Sequence, residues 1–477
     1  MSWEVVIGLE THAQLATRSK MFCRCPVAFG GEPNTRVCPV CLGMPGALPV
    51  ANREATEMVA RTALALNCEI SHTCHFSRKN YFYPDLPKGY QISQYSDPIG
   101  HGGWLDIEVE RRIKRIRIRR VHLEEDTGKL MHLPGGGAGV DYNRSGVPLM
   151  EIVTEFPPDI GDEHEAKEYL VQLRQILLYL GVCDGKMEEG SLRCEPNISV
   201  RPEGQAQLGV KTELKNLNSF RSVQMGVKYE MARQIALLEA GEKVRQETRG
   251  WNEDRQKSFS MRLKETEQDY RYFPDPDLAP MAFPEKTISS LREALPELPL
   301  DKARRYKDEL GLGDYDAGVL TSDLEWAEFF EEAVALGGEP KAICNWLVND
   351  FAKSLNSAQI TPRQSSVSPS HLVDLVRLIS DGSISGKMAK QVFQESFMSG
   401  RMPSDLVREG GVRQMTDRAD IEGLVRRAIA DNPAVVAKYR AGQVGVAGFF
   451  VGEVMKASEG KAQPELAKQL VLEALEG

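Results

Sequence analysis

Residues 3–15, Trp3-Glu-Val-Val-Ile-Gly-Leu-Glu-Thr-His-Ala-Gln-Leu15, alternate as a half-buried strand does. Val5, Ile7 and Leu9 share one face; Glu10, His12 and Gln14 share the other. A second strand-like run, residues 113–126 (IKRIRIRRVHLEED), changes parity midway: Ile116 and Ile118 are even, Val121 and Leu123 odd. A bulge near Arg119 and Arg120 restores a single apolar face. It also aims His122, Glu124 and Asp126 together away from that face. In Pro148-Leu-Met-Glu-Ile-Val-Thr154, the carboxylate of Glu151 interrupts an otherwise core-like strand. Such a group is costly to bury unless it is paired or binds a metal. Glu213, in Lys211-Thr-Glu-Leu-Lys215, is a fourth acidic candidate. Carboxylates and an imidazole converging from strands suit Mg²⁺, which takes hard oxygen ligands and keeps substrate phosphates in its shell. Spacing alone equally admits solvated strand residues or salt-bridge partners.

Around these strands the chain runs to 477 residues, enough for about three domains. Residues 1–292 read as an α/β region rich in short strands, glycine, proline and aromatics. Residues 293–405 read as helical, with apolar residues recurring every three or four positions in Trp326–Leu336 and Ala342–Leu355. Thr361–Ser370 (TPRQSSVSPS) has the composition of a connector. Residues 406–477 read as a helical tail, in which Gly442, Gly445, Gly448 and Gly452 suit close packing against a neighbouring helix. The net charge of −9 argues against indiscriminate nucleic-acid binding, although a local basic face can still hold a phosphate backbone. No basic leader and no run of about 18 apolar residues is present, so a cytoplasmic protein is expected. Nine cysteines fit a reduced compartment better than a disulfide framework.

Four of those cysteines form Cys23-x-Cys25 and Cys38-x-x-Cys41. Two tight thiol pairs joined by a short spacer suit tetrahedral Zn²⁺, and four protein ligands leave no open position, which makes the zinc structural. Cys68, His72, Cys74 and His75 match no common zinc spacing. The stretch Ser77–Tyr95 mixes Lys79 and Lys88 with Tyr81, Tyr83 and Tyr90, a set able to position phosphates and stack on a base. Gly190-Ser-Leu-Arg193 and Lys215-Asn-Leu-Asn-Ser219 are turns with one cation each, and Pro134–Gly139 has the composition of a hairpin tip. Arg111–Arg120 carries seven basic residues, either a nucleic-acid contact or a solvated strand face. There is no P-loop, no kinase H-R-D or D-F-G set, no G-x-S-x-G elbow and no amino-terminal cysteine nucleophile. A glutamine-hydrolysing centre is therefore not expected in this chain.

Several longer stretches together carry a family resemblance. They include Val6-Ile-Gly-Leu-Glu-Thr-His12, Cys38-Pro-Val-Cys-Leu-Gly-Met-Pro-Gly46, Lys79-Asn-Tyr-Phe-Tyr-Pro-Asp-Leu-Pro-Lys-Gly-Tyr-Gln91 and His122-Leu-Glu-Glu-Asp-Thr-Gly-Lys129. Asp141–Val153, Met187–Cys194, Lys215–Phe220, Asp269–Leu278, Gly382–Lys387 and Val451–Lys456 continue the pattern in order. Over essentially its whole length the chain resembles the B-subunit family of bacterial aspartyl/glutamyl-tRNA amidotransferases. It departs at Cys194-Glu-Pro-Asn197, where the family often has an Asp followed by Ala, so Glu195 is not carried over as a site residue.

The resemblance implies an α+β fold: a cradle-like catalytic domain of the glutamine synthetase and guanido kinase type, followed by all-α helical and tail domains that contact tRNA. It implies a heterotrimer, in which an amidase (the A component) and a small C component join this chain. In that complex, ATP and Mg²⁺ activate the side-chain carboxylate of Glu-tRNA(Gln) or Asp-tRNA(Asn), and the amidase supplies ammonia for amidation. Within this chain it points to Glu10, His12, Glu124, Glu125 and Glu151 as catalytic. Glu10, His12, Glu124 and Glu151 would hold Mg²⁺, while Lys79, Tyr81, Lys88, Ser191, Arg193, Glu213 and Lys215 would bind the nucleotide. Cys23, Cys25, Cys38 and Cys41 would hold the structural Zn²⁺. Two rival readings are a non-catalytic, zinc-stabilised tRNA-binding adaptor and a free-standing ATP-dependent ligase for a small carboxylic acid.

Overall fold

The computed structural model describes residues 2–133, 135–263, 270–410, 415, 417–458 and 461–476. Pro134 of the glycine-rich tip and Asp269 of the Asp269–Leu278 motif lie outside them. The chain divides into two compact units, Met1–Pro299 and Leu300–Gly477.

The first unit is built on one nine-stranded sheet. Its strands in chain order are β1 (Trp3–Gln14), β2 (Glu69–Ile70), β3 (Gly100–Val109), β4 (Arg112–Glu125), β5 (Pro148–Thr154), β6 (Leu192–Pro202), β7 (Thr212–Lys215), β8 (Glu247–Asn252) and β9 (Lys257–Leu263). Their spatial order is β9-β8-β7-β6-β1-β5-β4-β3-β2, which puts β1 at the centre. Only the β7–β8 pair is parallel. The alternation of β1 is realised as read: Ile7 and Leu9 are fully buried on the apolar face. The parity change in β4 is realised too. Val153 pairs with Arg120 and Thr154 with Ile118, so Arg119 is an extra residue bulged out of register against β5. Across that bulge Ile116, Ile118, Val121 and Leu123 are all fully buried.

Three helices cover the apolar face: α1 (Arg53–Ala65), α2 (Glu163–Tyr179) and α3 (Phe220–Glu239). Each starts at a side-chain cap, Asn52, Asp162 and Ser219 respectively, which satisfies amide groups left free in the first turn. In α2, Ala166, Tyr169, Leu170, Leu173, Ile176 and Leu177 recur at helical spacing and are buried, each large side chain contributing about 1.5–3 kcal/mol. The opposite sheet face is left free for polar side chains. A small three-stranded sheet of Phe273–Pro274, Ser77–Asn80 and Tyr90–Ser93 belongs to the same unit. The glycine-rich tip joins the antiparallel strands Lys129–His132 and Ala138–Asp141, with Gly135, Gly136 and Gly137 at positive φ.

The second unit is helical and holds two separate hydrophobic clusters. One gathers Phe330, Phe351, Leu372, Leu375 and Phe393; the other gathers Ile421, Val425, Phe450, Val454 and Val471. The helix expected around Trp326–Leu336 is Leu324–Ala335. The expected helix Ala342–Leu355 is interrupted by a π-helical turn, Trp346–Phe351, between Pro340–Asn345 and Ala352–Ala358. The Thr361–Ser370 connector contains a 3₁₀ turn at Pro362–Gln364, and the next helix already starts at Pro369. The tail glycines do not serve close packing. A side chain at Gly442, Gly445, Gly448 or Gly452 would meet no described atom within 4 Å.

Candidate active site

Register gathers the acidic face. His12 of β1 lies directly between Glu151 of β5 and Arg193 of β6, and Glu151 in turn opposes His122 of β4. Glu10 opposes Glu195, and Asn197 opposes Glu213 of β7. Directly paired residues in a sheet present their side chains to the same face, so five adjacent strands supply one polar surface. At its centre one ligand atom each from His12, Glu124 and Glu151 can be chosen so that all lie within 4.8 Å of one another. His12 Nε2 stands 3.8 Å from Glu124 Oε1 and 3.7 Å from Glu151 Oε2. His122 Nε2 reaches Glu151 Oε2 at 3.2 Å.

The electrostatics are those of a crowded anionic site. Burial opposes ionisation of Glu151, but His122 and His12 hold its carboxyl well below the usual range. Burial likewise opposes protonation of His12, and the hydrogen bond and charge of Glu151, aided by Glu124 and Glu195, lift it to about 9. Burial, followed by the charges of Glu151 and Glu195, pushes Glu10 up. Its Oε1 accepts a hydrogen bond from Asn197 Nδ2 at 3.1 Å. Carboxylates that repel one another beside imidazoles fit a divalent cation with oxygen and nitrogen ligands.

Cations ring this group. Lys79 Nζ sits over the Tyr270 ring at 4.9 Å and makes no hydrogen bond or ion pair among the described residues. Burial opposes its charge, yet Glu124, Tyr272 and Glu151 keep the ammonium protonated. Arg193 donates to Asp126 Oδ2 at 2.9 Å, and Gln14 Nε2 donates to the same oxygen at 2.8 Å. Lys215 binds Glu195 at 2.7 Å and Glu213 at 3.4 Å, while Thr248 donates to Glu213 at 2.7 Å. Tyr81 packs edge-on against Tyr270.

Three expected residues stand apart. Glu125 lies one residue beyond Glu124 on β4, and Lys88 takes its carboxylate at 2.7 Å. Ile92 N–H also donates to it at 3.0 Å. Lys88 and Glu125 line a cavity with Cys23 and Cys41, not the His12 group. The Ser191 hydroxyl is used within its own turn, donating to Asp184 and accepting from Lys186 N–H. Pleat parity placed His122 and Asp126 on the site face but said nothing of their partners. Asn197 was missed and Glu195 set aside, although their alternation with Arg193 along one strand was a usable signal.

The four cysteines do meet, with all four Sγ atoms within 4.8 Å of one another. Zinc–sulfur bonds of about 2.3 Å in a tetrahedron put sulfurs about 3.8 Å apart, and Cys38 and Cys41 are 3.9 Å apart. The hydrogen bond from Cys23, then the Cys38 amide and the Lys20 charge, bring the Cys41 thiol down to about 4. Lys20, fully buried with its Nζ 3.5 Å from Cys41 Sγ, had no sequence signal. Of the seven basic residues in Arg111–Arg120, Lys114, Arg115 and Arg117 are neutralised by Glu165, Asp106 and Asp159. Among the described residues no helix is long and apolar enough to cross a membrane.

A mixed α/β unit with an acidic, metal-compatible sheet face, followed by helices, agrees with two family matches. Residues 5–289 match the GatB/GatE catalytic domain and residues 328–475 the GatB domain. Full-length relatives agree. The chain is 52% identical over 478 residues to the B subunit of the aspartyl/glutamyl-tRNA(Asn/Gln) amidotransferase of Moorella thermoacetica, covering 100% of both chains. It is 51% identical to that of Brevibacillus brevis over 99% of each chain, and 50% identical to that of Persephonella marina over 100% of each. The chain belongs to the B-subunit family of aspartyl/glutamyl-tRNA(Asn/Gln) amidotransferases.

Proposed function

We propose that this chain is the kinase component of a tRNA-dependent amidotransferase, activating the side-chain carboxylate of Glu-tRNA(Gln) or Asp-tRNA(Asn) with ATP. The observation that carries the reading is the His12–Glu124–Glu151 group on the polar face of the sheet. A carboxylate does not accept ammonia directly, because its carbon is electron-rich and oxide is a poor leaving group. Attack of a carboxylate oxygen on the γ-phosphorus of ATP forms a P–O bond, breaks the bond to the β–γ bridging oxygen and releases ADP. Ammonia then attacks the acyl carbon, and phosphate leaves with the former carboxylate oxygen.

Glu10, His12, Glu124 and Glu151 would hold Mg²⁺, which when bound neutralises and orients the phosphate oxygens. The protein's remaining task is positioning and charge compensation. Lys79, which makes no ion pair among the described residues, is placed to meet phosphoryl oxygens, and Arg193 is held in line by Asp126. A cleft of about 310 Å³, lined by Glu10 together with Val6, Gly8, Phe156, Leu208 and Gly209, offers room for the nucleoside of ATP. Residues 1–292 supply this cradle, and residues 293–405 and 406–477 are assigned to tRNA. The cysteine cluster takes a structural Zn²⁺. Partner chains of the A and C type complete the heterotrimer, and the amidase among them supplies ammonia, consistent with the missing nucleophile.

The test is ADP release by the chain assembled with its amidase partner, given charged tRNA, uncharged tRNA or free glutamate. ADP formed only with charged tRNA supports the kinase. ADP formed with free glutamate points to a small-acid ligase, and none from a tRNA-binding complex points to an adaptor.

A further inference from the structure

Four tyrosines form a continuous aromatic file beside the carboxylates. Tyr81 packs edge-on against Tyr270, Tyr270 against Tyr272, and Tyr272 stacks on Tyr95 with ring centroids 4.2 Å apart and planes 12° apart. Backbone fixes the file: Asn80 N–H donates to Tyr270 C=O, and Asn80 Nδ2 to Arg271 C=O. Arg78, bound to Asp275 and Asp277 at 2.8 Å each, clamps the following turn. The strand leading into Tyr95 is tied to the site, because Ser93 Oγ donates to Glu124 Oε2 at 3.2 Å. Tyr95 nevertheless remains 53% exposed, so the stack ends in an open ring. The phenol of Tyr272 lies within electrostatic reach of Lys79, Glu124, Glu151 and Arg120.

Arg120 is the second observation. The bulge at Arg119 brings Arg120 onto the same face as His122 and Glu124. Its Nε is buried and has no hydrogen-bond partner among the described residues. Unlike Lys114, Arg115 and Arg117 on the same strand, its guanidinium has no carboxylate partner among the described residues. A rigid aromatic platform with a cation free to take a phosphate is the usual receiver for a single-stranded nucleotide.

We infer that the Tyr95–Tyr272 stack, with Arg120, receives the 3′-terminal adenosine of the charged tRNA, the adenine on the open face of Tyr95 and the terminal phosphodiester on Arg120. This rests on the kinase reading above. The length of the substrate's arm selects this occupant over the adenine of ATP. Only a short aminoacyl ester separates the reacting carboxylate from its adenosine, so that base must lie close to Glu124 and Glu151. The base of ATP is held a triphosphate and a ribose away from the transferred phosphorus, and the cleft beside Glu10 offers it room.

The test uses Tyr95→Ala, Tyr95→Phe and Arg120→Gln in the assembled complex, with kcat/KM for charged tRNA and the Kd for ATP as readouts. Base stacking of the usual strength predicts a fall of about 5- to 150-fold in kcat/KM for charged tRNA in Tyr95→Ala. Tyr95→Phe keeps the ring and restores it, Arg120→Gln lowers it, and the Kd for ATP stays put in all three. An unchanged kcat/KM in Tyr95→Ala, a Phe variant as poor as the Ala variant, or a weakened Kd for ATP overturns the platform. Those results would be read against a wild-type complex that forms ADP with charged tRNA. A wild type that forms none removes the kinase reading itself, and the platform with it.

Discussion

At the scale of single residues, the site is kept in shape by groups that touch no substrate in the proposed reaction. Asp126 is 3% exposed and gathers Arg193, Gln14 and the Thr127 amide around one carboxylate. Burial opposes its ionisation, but Arg193 and Arg144 pull its pKa below the ordinary value. Asp126→Ala should destabilise the protein by about 3 kcal/mol in urea unfolding, at the low end for a broken buried pair because Arg193 is 33% exposed. A carboxyl with a depressed folded pKa contributes stability above its unfolded value of about 3.9 and loses it as pH falls through the folded value. The gap between wild type and variant should therefore narrow as pH drops from about 5 toward 2.

Elements decide which residues face the site, and this is where the sequence was most legible. Alternation in β1 put Glu10 and His12 together, and the parity change in β4 required a bulge, found at Arg119. Pairing across strands was not legible, because nothing in the local pattern says that residue 12 lies opposite residues 151 and 193. Parity does separate Glu124 from Glu125 onto opposite faces, but it says nothing of Lys88, which takes the Glu125 carboxylate. Deleting Arg119 should force two buried apolar residues of β4 to the polar face, costing about 3–6 kcal/mol. Arg119→Ala, which keeps the bulge and trims an exposed side chain, should change unfolding by less than about 0.5 kcal/mol. The cysteine knuckles give a further test. Wild type should carry one Zn²⁺ per chain by elemental analysis, and Cys41→Ser should lose it and lower Tm by roughly 5 °C.

On the scale of the whole molecule, the proposed function divides phosphoryl chemistry and tRNA holding between different parts of the chain. The tail cluster of Ile421, Phe450 and Val471 is separate from the other hydrophobic cluster of the second unit. A chain ending at Gly410 should keep ATP binding while its KM for charged tRNA rises on the order of 100-fold, as expected when one of two linked contact regions is lost. The helical character of this region was legible from periodicity. The π-helical turn at Trp346–Phe351 and the open surroundings of the tail glycines were not, because both depend on what packs nearby.

In the proposed reaction the side-chain carboxylate becomes an acyl phosphate, and its oxygen atoms record whether it does. Glu-tRNA(Gln) carrying ¹⁸O in the glutamyl side-chain carboxylate would be amidated by the assembled complex with ATP and glutamine, and the released inorganic phosphate analysed by mass spectrometry. One ¹⁸O atom per phosphate, with no labelled phosphate formed by the Glu124→Ala complex, is the predicted result. Amidation accompanied by unlabelled phosphate would contradict acyl phosphate formation and the role assigned to the His12–Glu124–Glu151 face.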